Sequence, residues 1–261
     1  MNRLSHNLLS GAFALTLLGG TGIASATVWD FQSDTVGSAP TNGVLYSDIQ
    51  PSTQVEVVNS SSAHADPFGG SGNQSLWMED SGQSNSTLTF NLGGPGVTQG
   101  TLSAKIYVVD DPSNTYQYID LNGGVGNANT GVGDIGPWIQ YDPQVFGFRA
   151  ITSSGLKYFT NTVPHNSVID LVIQFDATTD TFTGTINGNP LTDGTNTTFD
   201  FFNSLSDLSS VRIVHASSVQ TDPSQSTTFY DNVTLAPVPE PSGMMILGLG
   251  SLALIRRKRR A

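Results

Sequence analysis

The chain is 261 residues long, carries 10 Lys and Arg against 21 Asp and Glu, and contains no cysteine. The missing thiols rule out disulfides, thiolate metal sites and cysteine nucleophiles. A net charge of −11 repels a phosphate backbone, so nucleic acid is not an expected partner.

In chain order the first element is a leader. Arg3 is a cationic n-region, Leu8 to Gly20 an apolar h-region, and Ala24-Ser25-Ala26 puts small residues where a signal peptidase reads. Cleavage is expected after Ala26, which makes residues 1–26 a signal peptide and implies export. From Thr27 to Ala236 apolar and polar residues alternate in short runs bounded by Gly, Asn, Asp, Ser and Pro, the pattern of antiparallel strands with one wet face. Runs at 28–32, 54–58, 75–79, 87–92, 102–109, 116–121, 138–141, 145–151, 156–160, 168–176, 181–186, 211–216 and 228–235 predict about thirteen strands. Asn187-Gly188 marks a tight turn needing positive φ, and Phe201–Leu205 reads as a short helical turn. No repeat of 20 to 50 residues is visible, which argues against a propeller or a β-helix. So many short strands in one domain must pack as two sheets, so residues 27–236 are expected to form an all-β, two-sheet antiparallel jelly-roll sandwich.

Within this body 18 Asp and 2 Glu face four cations, Lys105, Arg149, Lys157 and Arg212, a net charge of −16. Short carboxylates suit turns, where they bond their own backbone, and oxygen-rich calcium sites equally well. Asp110-Asp111-Pro112-Ser113-Asn114 is such a stretch, either a solvated turn or a calcium-binding or sugar-binding loop. Asp134 to Asp142 interleaves aromatic and polar groups. Trp138 and Tyr141 offer flat apolar faces for a pyranose, and Asp134, Gln140 and, from the glycine-rich loop before them, Asn129 offer partners for its hydroxyls; core packing of Trp138 is the alternative. In the last run Asp231 is in phase with Phe229, Val233 and Leu235, so strict alternation turns its carboxylate toward the core. A buried carboxylate must be hydrogen-bonded, paired or metal-bound. Asp231 is therefore either a backbone-bonded residue at the sheet rim or a calcium ligand.

Residues 237–261 form a separate segment. Pro239-Glu240-Pro241 precedes a 13-residue apolar run, Gly243 to Ile255, and then Arg256, Arg257, Lys258, Arg259 and Arg260. The run is shorter than the ~20 residues that span a hydrocarbon core as a helix, so it suits transient membrane contact better than a permanent transmembrane helix. In order and spacing the segment resembles the PEP-CTERM sorting signal of Gram-negative bacteria. That resemblance implies a short apolar sorting helix, recognition by an exosortase, cleavage near Pro-Glu-Pro, and delivery to the outer surface or extracellular matrix. It also implies the setting of an exopolysaccharide-producing, biofilm-forming organism.

A second resemblance lies in the body. Asp170 to Asp176 (DLVIQFD), Thr183 to Gly188 (TGTING), Tyr230 to Leu235 (YDNVTL) and the opening Trp29-Asp30-Phe31-Gln32 resemble a concanavalin-like or laminin-G-like sandwich. The galactose-binding-like jelly roll shares the form of the last strand and stays open as an alternative. In those families a residue at the place of Asp231 helps hold a structural calcium with a partner on the first strand, a part that falls here to Asp30, with Gln32 a neutral ligand.

No catalytic constellation emerges. Laminarinase-type enzymes of this fold carry two Glu and an Asp along one strand, whereas Glu79-Asp80 runs on into Ser81-Gly82-Gln83-Ser84 without a second Glu. There is no G-x-S-x-G elbow and no H-E-x-x-H helix. The expectation is a non-enzymatic, exosortase-sorted surface or matrix protein that binds exopolysaccharide. A secreted glycan-active hydrolase of the same fold and a purely structural adhesin are the alternatives.

Overall fold

The alternation seen in the sequence becomes two sheets. The computed structural model describes residues 26–49, 53–80, 85–109, 117–124, 134–142, 147–217 and 226–238. The strands are β1 (Thr27–Trp29), β2 (Val44–Asp48), β3 (Thr53–Asn59), β4 (Gln74–Asp80), β5 (Asn85–Asn91), β6 (Gln99–Val108), β7 (Gln117–Gly124) and β8 (Ile135–Asp142) in the first half. The second half adds β9 (Gly147–Thr152), β10 (Gly155–Thr162), β11 (Val168–Asp176), β12 (Thr181–Ile186), β13 (Asn189–Pro190), β14 (Phe199–Asp200), β15 (Ser210–Ser217) and β16 (Ser226–Pro237). Sheet A runs β13-β12-β11-β6-β16-β4-β3, with β1 also on β16 and β14 on β12. Sheet B runs β10-β9-β8-β7-β15-β5-β2. Pairing between the named strands is antiparallel. The two-sheet antiparallel sandwich expected from the sequence is therefore present.

The β6–β11 ladder shows how the pattern builds the core. Ile106, Ala104 and Leu102 lie opposite Ile169, Leu171 and Ile173, and all six are buried. Residues between them, Ser103, Lys105 and Tyr107, point to the other face of sheet A and are half-buried. From sheet B, Leu88, Phe90, Ile139, Tyr141, Phe148, Val211 and Ile213 join the same cluster between the sheets. The β12–β13 hairpin closes through Asn187-Gly188, both at positive φ (50° and 78°), a geometry that matches the strand twist. Gly184 in β12 is needed for contact rather than for its φ: a Cβ there would lie 2.6 Å from the Val172 carbonyl oxygen.

Three short elements escaped the sequence pattern. β13 and β14 are two residues each, too short to show a period, and β2 is a sheet-edge strand reached through Gly43 at φ 70°. The helical turn expected at Phe201–Leu205 is absent. There the amides of Phe201, Phe202 and Asn203 donate to the carbonyls of Asp180, Gly136 and Ile135 at 2.7, 2.9 and 3.1 Å, so the backbone is used by distant segments rather than within a helix. No α-helix occurs among the described residues, and none of them forms a helix long and apolar enough to cross a membrane. The leader with Ala24 and the apolar run 243–255 lie outside the described residues; Ala26 is exposed immediately before β1.

One irregularity changes the reading of the last strand. Along β16, Asp231 pairs Lys105 and Thr234 pairs Ser103, so one extra residue is inserted on β16. Asn232, at φ 49°, forms the bulge. Before it, Tyr230 lies opposite Ile106 and faces the core; after it, Val233 and Leu235 do so. Phe229 and Asp231 instead share the outer face with Tyr107 and Lys105. The expectation that Asp231 points between the sheets is corrected by this reset of phase.

Candidate functional site

The outer faces of the two sheets are built differently. On sheet A the β3–β4 connection, residues 60–73, folds back over its own strands. Trp77 (β4), Phe229 (β16) and Val58 (β3) form a second small core there, with Phe68 and Tyr107 packed against it. The His64 ring stacks on the Trp77 indole at 3.9 Å between centroids and 15° between planes.

Beside this core is an acidic pair. Asp231 is 2% exposed and Asp66, from the crossing connection, is 9% exposed. The Asn73 amide donates to both, at 2.9 Å to Asp66 Oδ2 and 3.4 Å to Asp231 Oδ2. The Asn232 backbone amide donates to Asp231 Oδ1 at 2.7 Å. Burial pushes the Asp231 carboxyl above its usual range, against the opposing pull of the Asn232 and Asn73 hydrogen bonds. Asp30 is placed differently from the expectation. Its carboxylate accepts the Gln32 backbone amide at 3.1 Å, and it reaches the acidic pair only through Gln32, whose side chain bonds both the Asp30 carbonyl and Asn73 Oδ1. The carboxylate partner of Asp231 is Asp66, which no sequence signal pointed to because the connection that carries it has no periodicity.

The residues here fit a hard cation. Asp66 and Asp231 are oxygen ligands, and Ser75, one ladder step beyond the Leu76–Tyr230 pair, has a fully buried hydroxyl with no partner, while the Asn73 oxygen is turned away to Gln32. Oxygen ligands of this kind suit calcium. No group of three or more His, Cys, Asp or Glu side chains comes together among the described residues, so an ion here would draw on hydroxyl or solvent oxygen as well. Asp110 and Asp111 lie outside the described residues.

Sheet B carries a second constellation on its outer face. Alternation along β8 turns Trp138, Gln140 and Asp142 outward and Ile139 and Tyr141 inward. Tyr141 is fully buried, 5.0 Å from Phe148, with its hydroxyl on the Val163 carbonyl at 3.4 Å, so it packs the core and does not share a face with Trp138. In its place stand residues from the next two strands. Gln140 lies opposite Arg149 in β9, and Arg149 lies opposite Tyr158 in β10. Arg149 donates through Nε to Gln140 Oε1 at 2.6 Å, and through Nη1 to Asp142 Oδ2 at 3.1 Å and to the Tyr158 hydroxyl at 3.2 Å. Its guanidinium also sits 5.6 Å from the centre of the Tyr158 ring. Tyr158 and its β10 neighbour Leu156 are each 49% exposed.

One step along the strands, half-buried Trp138 meets Phe202 edge-on at 5.0 Å, and the Arg212 guanidinium from β15 lies 5.9 Å from its ring centre. Asp134 is half-buried just before β8, and Asn129 lies outside the described residues. Of the sugar-site residues read from sequence, the fold brings Trp138 and Gln140 to one face. Asp142, Arg149, Tyr158 and Arg212 join them through strand pairing that a linear reading does not show.

Residues 237–260 match the PEP-CTERM protein-sorting motif. A comparison with curated protein sequences returns no match. Among solved structures the fold is similar to a sialidase, with a TM-score of 0.57 at 8% identity over 83% of this chain and 19% of the other. It is also similar to the carbohydrate esterase of Shiga toxin-encoding bacteriophage phi24B, with a TM-score of 0.52 at 14% identity over 81% and 100% of the two chains. A third similar structure comes from work on endo-acting O-glycanases that human gut bacteria express to initiate mucin breakdown, with a TM-score of 0.50 at 10% identity over 81% and 98%. The chain thus spans about a fifth of the sialidase, and the likeness to all three is one of fold. The sorting motif marks the protein as exosortase-dependent and exported to the surface or extracellular space of a bacterium.

Proposed function

We propose that the protein is a non-enzymatic carbohydrate-binding protein of the outer surface or extracellular matrix of a Gram-negative bacterium, holding exopolysaccharide on the outer face of sheet B. The observation that carries this is the cross-strand row Gln140–Arg149–Tyr158 with Asp142 beside it. It sets a half-exposed aromatic ring over buried amide, carboxylate and guanidinium groups that fix its position through hydrogen bonds of 2.6 to 3.2 Å. Sugar recognition needs that pairing of a flat apolar surface with fixed polar partners. The glycan-active proteins among the fold's neighbours agree with the ligand class.

Neither of the body's two glutamates reaches this face, which speaks for binding there over hydrolysis by a glutamate pair. Glu56 and Glu79 lie on β3 and β4 of sheet A, and the indole next to them, Trp77, is fully buried beneath His64. A glycosidase needs its carboxylate pair flanking an accessible sugar. Calcium has a separate, structural part in this reading: bound by Asp66, Asp231 and Ser75, it fastens the crossing connection to the last strand.

The test is retention of the full chain on the producing organism's exopolysaccharide. Wild type is expected to be retained, and Tyr158→Ala and Leu156→Ala, both at exposed positions, to lose retention with unchanged folding. Equal retention of all three would remove the sheet B face from the function.

A further inference from the structure

We propose that the glycan held by this face is a neutral polysaccharide rather than one built from uronic or sialic acids, an inference that rests on the carbohydrate-binding reading above. An arginine serves as an anion receptor when both its charge and its fork of donors are available to the ligand. Arg149 offers neither. Its charge is met by Asp142 at 3.1 Å, with the two side chains only 9% and 5% exposed. Its Nε is taken by Gln140 and its Nη1 is shared with Tyr158. A ligand carboxylate placed there would have to displace Asp142, leaving a buried charge without its partner, or share the guanidinium with it at close range. Breaking a buried ion pair by losing one partner is costly.

The surroundings point the same way. The net charge of −16 on the body adds a field that keeps polyanions at a distance. A neutral sugar meets no such obstacle. Its C–H face can lie on Tyr158 and Leu156, each 49% exposed. Its hydroxyls can bond the Tyr158 hydroxyl, which both donates and accepts, while Gln140 and Asp142 lie beneath the ring, 5% and 4% exposed, and hold Arg149 rather than the sugar.

The experiment is affinity electrophoresis of the full chain in gels containing laminarin, dextran or galactomannan as neutral probes, and alginate or polygalacturonate as anionic ones, at low and moderate salt. Tryptophan fluorescence supplies a second readout, because Trp29 and Trp77 are buried and ligand-induced quenching reports on Trp138. At least one neutral polymer is expected to retard the chain while the anionic polymers do not, even at low salt. Tyr158→Ala should weaken the neutral interaction by about tenfold. Asp142→Asn, which uncovers the charge of Arg149, should raise affinity for alginate or polygalacturonate by about tenfold at low salt. Tighter binding of an anionic polymer by the wild type, weakened by salt, would overturn the neutral class and leave the carbohydrate reading standing. Binding of none of the five would overturn both.

Discussion

The two outer faces start from the same strand alternation and end in opposite states. On sheet A a 14-residue connection, 60–73, crosses the strands, stacks His64 on Trp77 and buries Asp231 beside its own Asp66. On sheet B the row Gln140–Arg149–Tyr158 ends in a ring that is half open to solvent. The comparison teaches that burial of polar groups on a sandwich does not mark function by itself. On the covered face the polar contacts tie a connection down, whereas on the other they hold side chains in place around an accessible ring.

The contrast is sharpest in stability. Trp77→Ala empties the small core under the crossing connection and is expected to cost about 3–5 kcal/mol, seen as a lowered urea midpoint. A change below about 1 kcal/mol would mean that the connection does not pack as described. Millimolar calcium is expected to stabilise the wild type by about 2–3 kcal/mol if its concentration is near a hundredfold above Kd, raising Tm by several degrees. Asp231→Asn should abolish that rise, and a rise that survives in Asp231→Asn places the ion elsewhere. Asn73→Ala strips the amide shared by Asp66 and Asp231 and should cost about 1–3 kcal/mol in the absence of calcium.

Acidity separates the faces from the core between them. His215, in the fully buried interior, has its imidazole pushed down from 6.5 to about 4 by desolvation. The unfolded chain therefore binds the proton first as pH falls, and stability should decline from about pH 6.5 to pH 4 by up to about 3 kcal/mol. Asp231 acts in the opposite sense. Its folded value lies above 3.8, so the stability gained by holding the proton is present at low pH and is lost as pH rises through the folded value. Urea titrations across pH 4 to 7 should show both limbs in the wild type and only the His215 limb in Asp231→Asn. The smallest effect belongs to the open face: Tyr158→Ala should change stability by less than about 0.5 kcal/mol while lowering glycan affinity, measured by fluorescence titration. A large loss of stability there would make the ring a packing residue.

How much of this was legible in the sequence depends on distance along the chain. Alternation within a run, as in Val168–Asp176, specified both the strand and its buried face. Phase was lost where one residue was added: the bulge at Asn232 left Asp231 on the face opposite to the one that counting by twos assigned. Tyr141 was grouped with Trp138 by its chemistry although three positions put the two on opposite faces of β8. Arg149 and Tyr158 were invisible as partners of Gln140 because their neighbourhood is created by the β8–β9 and β9–β10 pairings, and pairing register is not a property of any one run. Asp66 was missed for a different reason, since a connection without a period gives no hint that it folds back onto a sheet.

The strand order has a consequence for export. β16 stands between β4 and β6 in sheet A, and β15 between β5 and β7 in sheet B. Both inserts come from the end of the body, and β1 pairs with β16 through Thr27 and Leu235 at nearly opposite ends of it. Contacts this remote in sequence make for slow folding. While the chain emerges from its N-terminus, each sheet exists as two halves with open edges that invite mispairing. The halves join only when residues 210–237 have appeared, and the sorting motif begins at residue 237. A molecule that presents the motif has therefore already released every strand it needs, so the signal for processing is also a certificate that the sandwich can close.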